Sequence, residues 1–381
     1  MIKGFKIRIY PTREQEQLFW KHIGGSRYIY NYMLALQEDR HKKGESHLSN
    51  YAMNTLVVSL KQEQGHEWLG ELSTRSLQNI CKDLDKAYQF FFKKQNKLPK
   101  FKTRKKSKPT FCPNHENFYF KDEKFLNIEK IGKIKYKTNY LFPYGYKKQK
   151  YYNVRISFVN NKWIITFHME CENQTLPKNK YNMGIDLGIK DLAVVACGDE
   201  HYVFNNINKS SKVKKINRKI KELQRDISRK YVVAKQQNGC YKKSNNIIKK
   251  ECQLIKLHNK IANIRQNYIH QTTHFLVGLL PQRVVMEDLD ITRMMKNRYL
   301  NQFISKQCWY EFVRQMKYKC EWNDIEFVQA DTFYPSSKTC SVCGCIKNDL
   351  KLSDRTYVCK NCGNVVDRDL NAAINLMRYI V

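Results

Sequence analysis

Residues 3–10 (Lys-Gly-Phe-Lys-Ile-Arg-Ile-Tyr) alternate basic and apolar side chains, which predicts a strand with one basic face. Pro11-Thr12 stops it. Thr12 and Gln15 have the spacing of a capping box, and residues 14–22 read as a short helix. Gly24-Gly25 then predicts a break, with Ser26 capping a second helix to about Arg40. A further helical block is expected over 50–94. From Thr110 to about Cys171 the period returns to two. Strands are expected at 124–126, 132–136, 154–159 and 163–169, with a turn at Asn160-Asn161. This predicts a small β-rich module, a barrel to which the N-terminal strand adds. Residues 178–181 mark a boundary.

Beyond that boundary the apolar runs lengthen. Residues 181–190 predict a buried strand with Asp186 in its middle, followed by strands at 191–197 and 201–204. Val213, Ile216, Ile220, Leu223 and Ile227 recur at three- and four-residue steps, so 206–265 reads as a pair of amphipathic helices. Arg283-Val-Val-Met-Glu287 is another buried strand ending on an acid. A helix over 303–322, a strand over 326–330 and a last helix over 369–377 complete the expected order.

Charge changes the picture. The 381 residues carry 69 Lys+Arg against 35 Asp+Glu, a formal net charge of +34. Aromatics make up 13%, enough to bury a core, so the chain is folded and basic rather than a disordered tail. That combination points to nucleic acid. The helix pair over 206–265 alone holds 18 Lys/Arg and 3 Asp/Glu. Residues 93–108 hold nine Lys/Arg and no acid, interleaved with Pro99 and Phe101. Lys97, Lys100, Lys102, Arg104, Lys105 and Lys106 are therefore candidate contacts to a phosphate backbone. No run of 18 apolar residues exists, so no membrane span is expected. Nine of the 13 cysteines are scattered without a framework, which suits a reducing cytoplasm.

The other four are ordered. Cys340-Ser-Val-Cys343 and Cys359-Lys-Asn-Cys362 are separated by fifteen residues, and Gly344 and Gly363 follow each pair. Two CxxC turns at this spacing predict a tetrahedral zinc ribbon with four cysteine ligands. Seven residues after Cys362, Asp369 opens the last helix. Asp186 and Glu287 lie in or at the end of apolar, β-branched strands, where an unpaired carboxylate is costly. Three such acids from separate segments, all hard oxygen donors, suit Mg²⁺ or Mn²⁺ and two-metal phosphodiester hydrolysis. Asp288, Asp290, Asp331 and Asp367 are nearby acids that could substitute for one of the three. The order Asp, Glu, Asp favours a resolvase-type RNase H fold over an integrase-type one.

Gly184-Ile-Asp186-Leu-Gly188, Met286-Glu287-Asp288-Leu289, the run from Pro335 through the two CxxC pairs, and Asp367-Arg-Asp369-Leu-Asn371-Ala-Ala together resemble TnpB, the accessory protein of bacterial and archaeal insertion sequences. Phe5-Lys-Ile-Arg-Ile-Tyr-Pro11-Thr and Leu98-Pro-Lys-Phe101-Lys resemble it too, so the likeness covers nearly the whole chain. It implies a multidomain α/β protein. A β-barrel wedge domain would take residues 1–10 and 108–180, a helical recognition domain 11–107, and a RuvC-like nuclease domain 181–381 with the zinc ribbon inserted at 338–364. It also implies an RNA-guided DNA endonuclease related to type V CRISPR effectors, acting at the nucleoid. A guide RNA from the transposon end would direct cleavage of double-stranded DNA beside a short motif, with Asp186, Glu287 and Asp369 as catalytic Mg²⁺ ligands. The alternative classes are a guided DNA-binding protein without cleavage and an unguided zinc DNA-binding protein whose acids are structural.

Overall fold

The computed structural model describes residues 1–172, 177–238, 243–351 and 353–380. The chain divides into two compact units, Met1–Glu172 and Asn173–Val381.

The first unit opens with β1 (Ile2–Tyr10), which buries Ile7 and Ile9 and exposes Lys6, Arg8 and Tyr10. The capping box forms: the Gln15 amide donates to Thr12 Oγ1, and the Gln15 side chain accepts from the Thr12 amide. Then the expectation fails, because α1 (Arg13–Lys42) runs unbroken through Gly24-Gly25. At Gly25 the reason is packing. A Cβ there would lie 2.1 Å from Leu72 Cδ1, so glycine is what lets the helix seat. Two glycines cost the helix about 1 kcal/mol each, which the long buried face around Ile29, Met33 and Leu34 offsets. The helices α2 (Asn50–Leu60) and α3 (Thr74–Phe92) pack on it around Met53, Val57, Leu77 and Leu84.

The strands β2 (Thr110–Phe111), β3 (Tyr119–Phe120), β4 (Phe125–Ile128), β5 (Gly132–Lys137), β6 (Tyr151–Val159) and β7 (Lys162–Glu170) join β1 in one antiparallel sheet of order β2-β6-β7-β1-β5-β4-β3. β1 is central rather than added at an edge, pairing β7 along nearly its whole length and β5 near its end. Asn160 and Asn161 take left-handed φ of 55° and 60°, forming the β6–β7 turn. Phe120 stacks on Phe142 and packs against Tyr151 and Phe167, so the sheet curls around an aromatic core. Strand pairing stops at β2 and β3, each two residues long. The expected barrel is thus a curled sheet not closed by pairing among the described residues.

In the second unit β8 (Asn182–Leu187), β9 (Asp191–Cys197) and β10 (Glu200–Asn205) form an antiparallel meander. The basic helices α4 (Ser211–Asn238) and α5 (Asn245–Gly278) follow, the second running well past its expected end. β11 (Arg283–Glu287) returns parallel to β8. The short α6 (Ile291–Met295) leads to α7 (Asn301–Gln307) and α8 (Trp309–Trp322). The single helix expected over 303–322 is interrupted at Cys308, whose φ is 58°. β12 (Glu326–Ala330) pairs parallel to β11, giving the order β10-β9-β8-β11-β12. The ribbon follows, with β13 (Thr356–Val358) paired to β14 (Val365–Asp367), and α9 (Arg368–Met377) starts directly from β14.

This sheet is covered on both faces, which is why its strands read as continuous apolar runs. Met183, Ile185, Val195, Val284 and Met286 face α5 and α8 through Leu276, Phe312 and Met316. The opposite face presents Val194, Ala196 and Val285 to Ala373 and Leu376 of α9. No helix among the described residues is long and apolar enough to cross a membrane.

The closest approach on that second face is at Gly184. A Cβ there would stand 2.0 Å from the Ala373 carbonyl oxygen and 2.2 Å from the Met377 nitrogen, both backbone atoms that cannot step aside. Gly184→Ala should therefore cost about 1–3 kcal/mol by overpacking, read as a lowered urea midpoint. Unchanged stability would mean that α9 does not rest on β8.

Candidate active site and metal centre

Asp186, Glu287 and Asp369 come from elements that the fold brings together. The parallel register pairs Gly184 with Val285 and Ile185 with Met286. One step further on, Asp186 and Glu287 lie side by side on neighbouring strands, about 4.8 Å apart along the hydrogen-bonding direction. Their side chains share a face with Gly184 and Val285, since alternate residues point the same way. That is the face α9 covers. Ala373 touches Gly184, and Asp369 is one helical turn earlier, about 6 Å along the axis. Asp186 is two strand residues past Gly184, about 6.6 Å. Helix turn and strand step match in length, and the Asp369 charge acts on both Asp186 and Glu287, which sets the start of α9 near the two strand acids.

Electrostatics agree with that proximity. Burial pushes the Asp186 carboxyl well above its ordinary range, and the charges of Glu287 and Asp369 push it further. Burial also raises Glu287, with Asp369 adding to the shift and a hydrogen bond donated by Ser336 Oγ opposing it. Asp369 is buried at 9% exposure and accepts from Arg368 Nη2 at 2.8 Å, with Arg355 Nη1 at 3.8 Å. Three like charges this close are unfavourable without a cation. Their donor chemistry, oxygen only, fits a divalent hard ion.

The substitute acids are occupied elsewhere. Asp367 caps α9, accepting from the amides of Asp369 and Leu370. Asp290 caps α6. Asp288 accepts from Gln329 and Thr332, and Asp331 from the Tyr379 hydroxyl. Ser336, unmarked by any pattern in the sequence, donates to Glu287. It follows β12, and only the β11–β12 pairing reveals that it lies beside the acid. Asn371 and Asn375 are a second unread pair. One helical turn apart, their amide nitrogens donate to the Thr339 carbonyl at 2.7 and 2.6 Å, and Asn375 also reaches the Ser336 carbonyl at 2.7 Å. They fasten α9 to the segment that enters the ribbon.

In the ribbon the sulfurs of Cys340, Cys343, Cys359 and Cys362 all lie within 4.8 Å of one another. Cys340–Cys362 and Cys343–Cys359 are 3.6 and 3.5 Å apart. A tetrahedron with Zn–S of about 2.3 Å has edges near 3.8 Å, so the four sulfurs fit one zinc. Cys345, two residues past Cys343, is outside this group. Fully buried Tyr357 fills the ribbon's small core, its hydroxyl donating to the Lys338 and Cys345 carbonyls.

The basic segment divides. Lys97, Lys100, Arg104, Lys105 and Lys106 are exposed. Lys102 is packed inward. Its backbone pairs with the Asn31 side chain at 2.8 and 2.9 Å, and its ammonium stands 3.5 Å from the centre of the Tyr30 ring. Burial lowers its pKa.

Fold and site define a strongly cationic, mixed α/β protein that joins a four-cysteine cluster to a buried carboxylate group. Comparison with known proteins narrows this. Three family models match: "Helix-turn-helix domain" (HTH_OrfB_IS605) over residues 1–46, "Probable transposase" (OrfB_IS605) over 166–298, and "Cas12f1-like, TNB domain" over 309–376. The chain is 29% identical over 98% of its length to a "Putative RNA-guided DNA endonuclease" of Streptomyces pristinaespiralis, covering 88% of that protein. It is likewise 29% identical over 99% of its length to the "Putative RNA-guided DNA endonuclease InsQ" of Escherichia coli K12, covering 92% of it. A solved structure of the mini-RNA-guided endonuclease CRISPR-Cas_phi3 aligns at a TM-score of 0.47 and 12% identity, over 99% of this chain and 92% of that one. These matches, which run over nearly the whole chain, bear out the resemblance to the TnpB family.

Two measurements test the site. Raised folded-state pKa values mean that the folded protein holds protons the unfolded chain releases. Stability from Asp186 is therefore present below pH ~4 and lost as pH rises toward the folded value. Metal-free Asp186→Asn should be more stable than wild type at neutral pH, by on the order of 1 kcal/mol or more. The gap should close in acid, and Mg²⁺ should raise the melting temperature of wild type only. Equal melting of the two proteins at pH 7 would contradict the clustering. Separately, Cys359→Ser should lose bound zinc by elemental analysis and lower stability; full zinc retention would dismiss the four-cysteine site.

Proposed function

We propose that this protein is an RNA-guided DNA endonuclease of an insertion sequence, and that Asp186, Glu287 and Asp369 form its cutting centre. The observation that carries this reading is the register that sets Asp186 beside Glu287 near the start of α9. The second unit is then a RuvC-like nuclease domain of RNase H type, over residues 181–381, with the zinc ribbon at 338–364. In support, its sheet combines an antiparallel meander with two parallel strands in the order β10-β9-β8-β11-β12. Residues 1–10 and 108–180 take the wedge role, and 11–107 the recognition role.

The three carboxylates would hold Mg²⁺ or Mn²⁺, which when bound polarises a phosphate oxygen and lowers the pKa of water. The chain's own groups prepare that site. Ser336 fixes the Glu287 carboxylate by donating to it. Arg368 holds Asp369 through two hydrogen bonds from its guanidinium. Gly184 lets the helix backbone come close enough for Asp369 to complete the set. The excess of 69 basic over 35 acidic residues favours polyanionic partners. Those partners are a guide RNA from the transposon end and the double-stranded DNA it selects beside a short motif, in the nucleoid of a bacterial or archaeal cytoplasm.

Protein purified from its host cells should carry a discrete RNA that runs from the transposon end into flanking sequence. Loaded with that RNA, it should cut matching DNA. Asp186→Ala should retain the RNA but lose more than the roughly 10–100-fold in activity that an outer-shell change costs. Cutting at the wild-type rate by Asp186→Ala would reject the triad. Absence of any specific RNA would reject guidance.

A further inference from the structure

Gly24 lies mid-helix, where glycine costs about 1 kcal/mol relative to alanine, yet a Cβ there would touch nothing within 4 Å. Its neighbour Gly25 has Leu72 to explain it; Gly24 has only open space. That space is a cavity of ≈ 630 Å³ in the first unit, between α1, α3, the basic segment after α3 and β6. This volume lies within the range of about 300–1,000 Å³ usual for small-ligand sites. Arg27, Lys102, Arg104, Lys108 and Arg155 line it against a single acid, Asp83. Asp83 is already engaged by Arg155 at 3.0 Å.

Ser26 also lines the cavity. It is 3% exposed, and its hydroxyl has no hydrogen-bond partner. A buried, unsatisfied hydroxyl costs free energy that a ligand could recover. Trp20 forms part of the wall and is 42% exposed, its ring held edge-on by Phe158 and Trp163. Excess positive charge, an unpaired donor and a rigid aromatic ring are the parts needed to take a phosphate together with a base.

We propose that this cavity receives one unstacked nucleotide of a nucleic-acid strand, with the phosphate among the cations and Ser26, the base against Trp20, and Gly24 kept bare to leave room. The inference rests on the nucleic-acid function proposed above and adds to it a discrete pocket in place of a diffuse basic surface.

The test uses the full chain, stripped of bound nucleic acid, with fluorescence anisotropy on a labelled oligouridylate and the matching oligothymidylate. Gly24→Leu changes no charge and favours helix, so its melting temperature should not fall. It should weaken binding about tenfold by filling the space. Ser26→Ala should weaken binding roughly threefold. Arg27→Gln should weaken it and lower the salt slope by about one. A loss on RNA alone assigns the pocket to an RNA strand, a loss on DNA alone to a DNA strand, and an equal loss to the phosphate and base common to both. Should Gly24→Leu misfold, Ser26→Ala and the Arg27→Gln slope decide. Binding within twofold of wild type by both folded Gly24→Leu and Ser26→Ala overturns the pocket and leaves the endonuclease reading standing. Failure of wild type to bind either oligonucleotide overturns both.

Discussion

The contact between the α9 backbone and β8 at Gly184 sets the geometry on which the second unit depends. No side chain larger than hydrogen fits between the strand and the Ala373 carbonyl. Close seating is helped by Ala372 and Ala373, both buried. It is directed by Asn371 and Asn375, which tie the same helix to the backbone around Ser336 and Thr339. The ribbon feeds the helix from the other side, because β14 ends where α9 begins. Strand, helix and ribbon thus hold one carboxylate in place from three directions, which is the rigidity a metal site needs.

That arrangement works against stability. Two carboxyls held above their ordinary pKa by burial and by each other represent unfavourable charge in the empty protein. Arg368, Arg355 and Ser336 offset part of it. The well-packed sheet beneath, with Ile185, Val284 and Met286 fully buried, tolerates the remainder.

The first unit uses glycine and charge differently. A thirty-residue helix carries two adjacent glycines without breaking. One is explained by Leu72 and the other borders a cationic cavity. The curled sheet ends on two strands of two residues each, which leaves little unpaired backbone to invite edge-to-edge association. Lys102, one of six basic residues singled out by the charge run, is anchored by Asn31 and Tyr30, so a run of like charges contains both a structural residue and exposed ones.

Local patterning determined much of this protein. Period-two stretches became strands, Thr12 capped α1, the CxxC spacing assembled four sulfurs, and acids interrupting apolar strands marked where charge would be buried. These features depend on neighbours a few residues apart or on the solvation cost of a single residue type, and both are written in the chain. Only the tertiary structure decided the rest. It placed β1 in the middle of its sheet, kept α1 intact through Gly24-Gly25, and set Asp186 beside Glu287 while giving Asp288, Asp290, Asp331 and Asp367 other hydrogen-bond partners. It also brought Ser336 to Glu287 across 49 residues. Each of these outcomes depends on which segment packs against which, and contacts between residues far apart in the chain leave no periodic trace in its order.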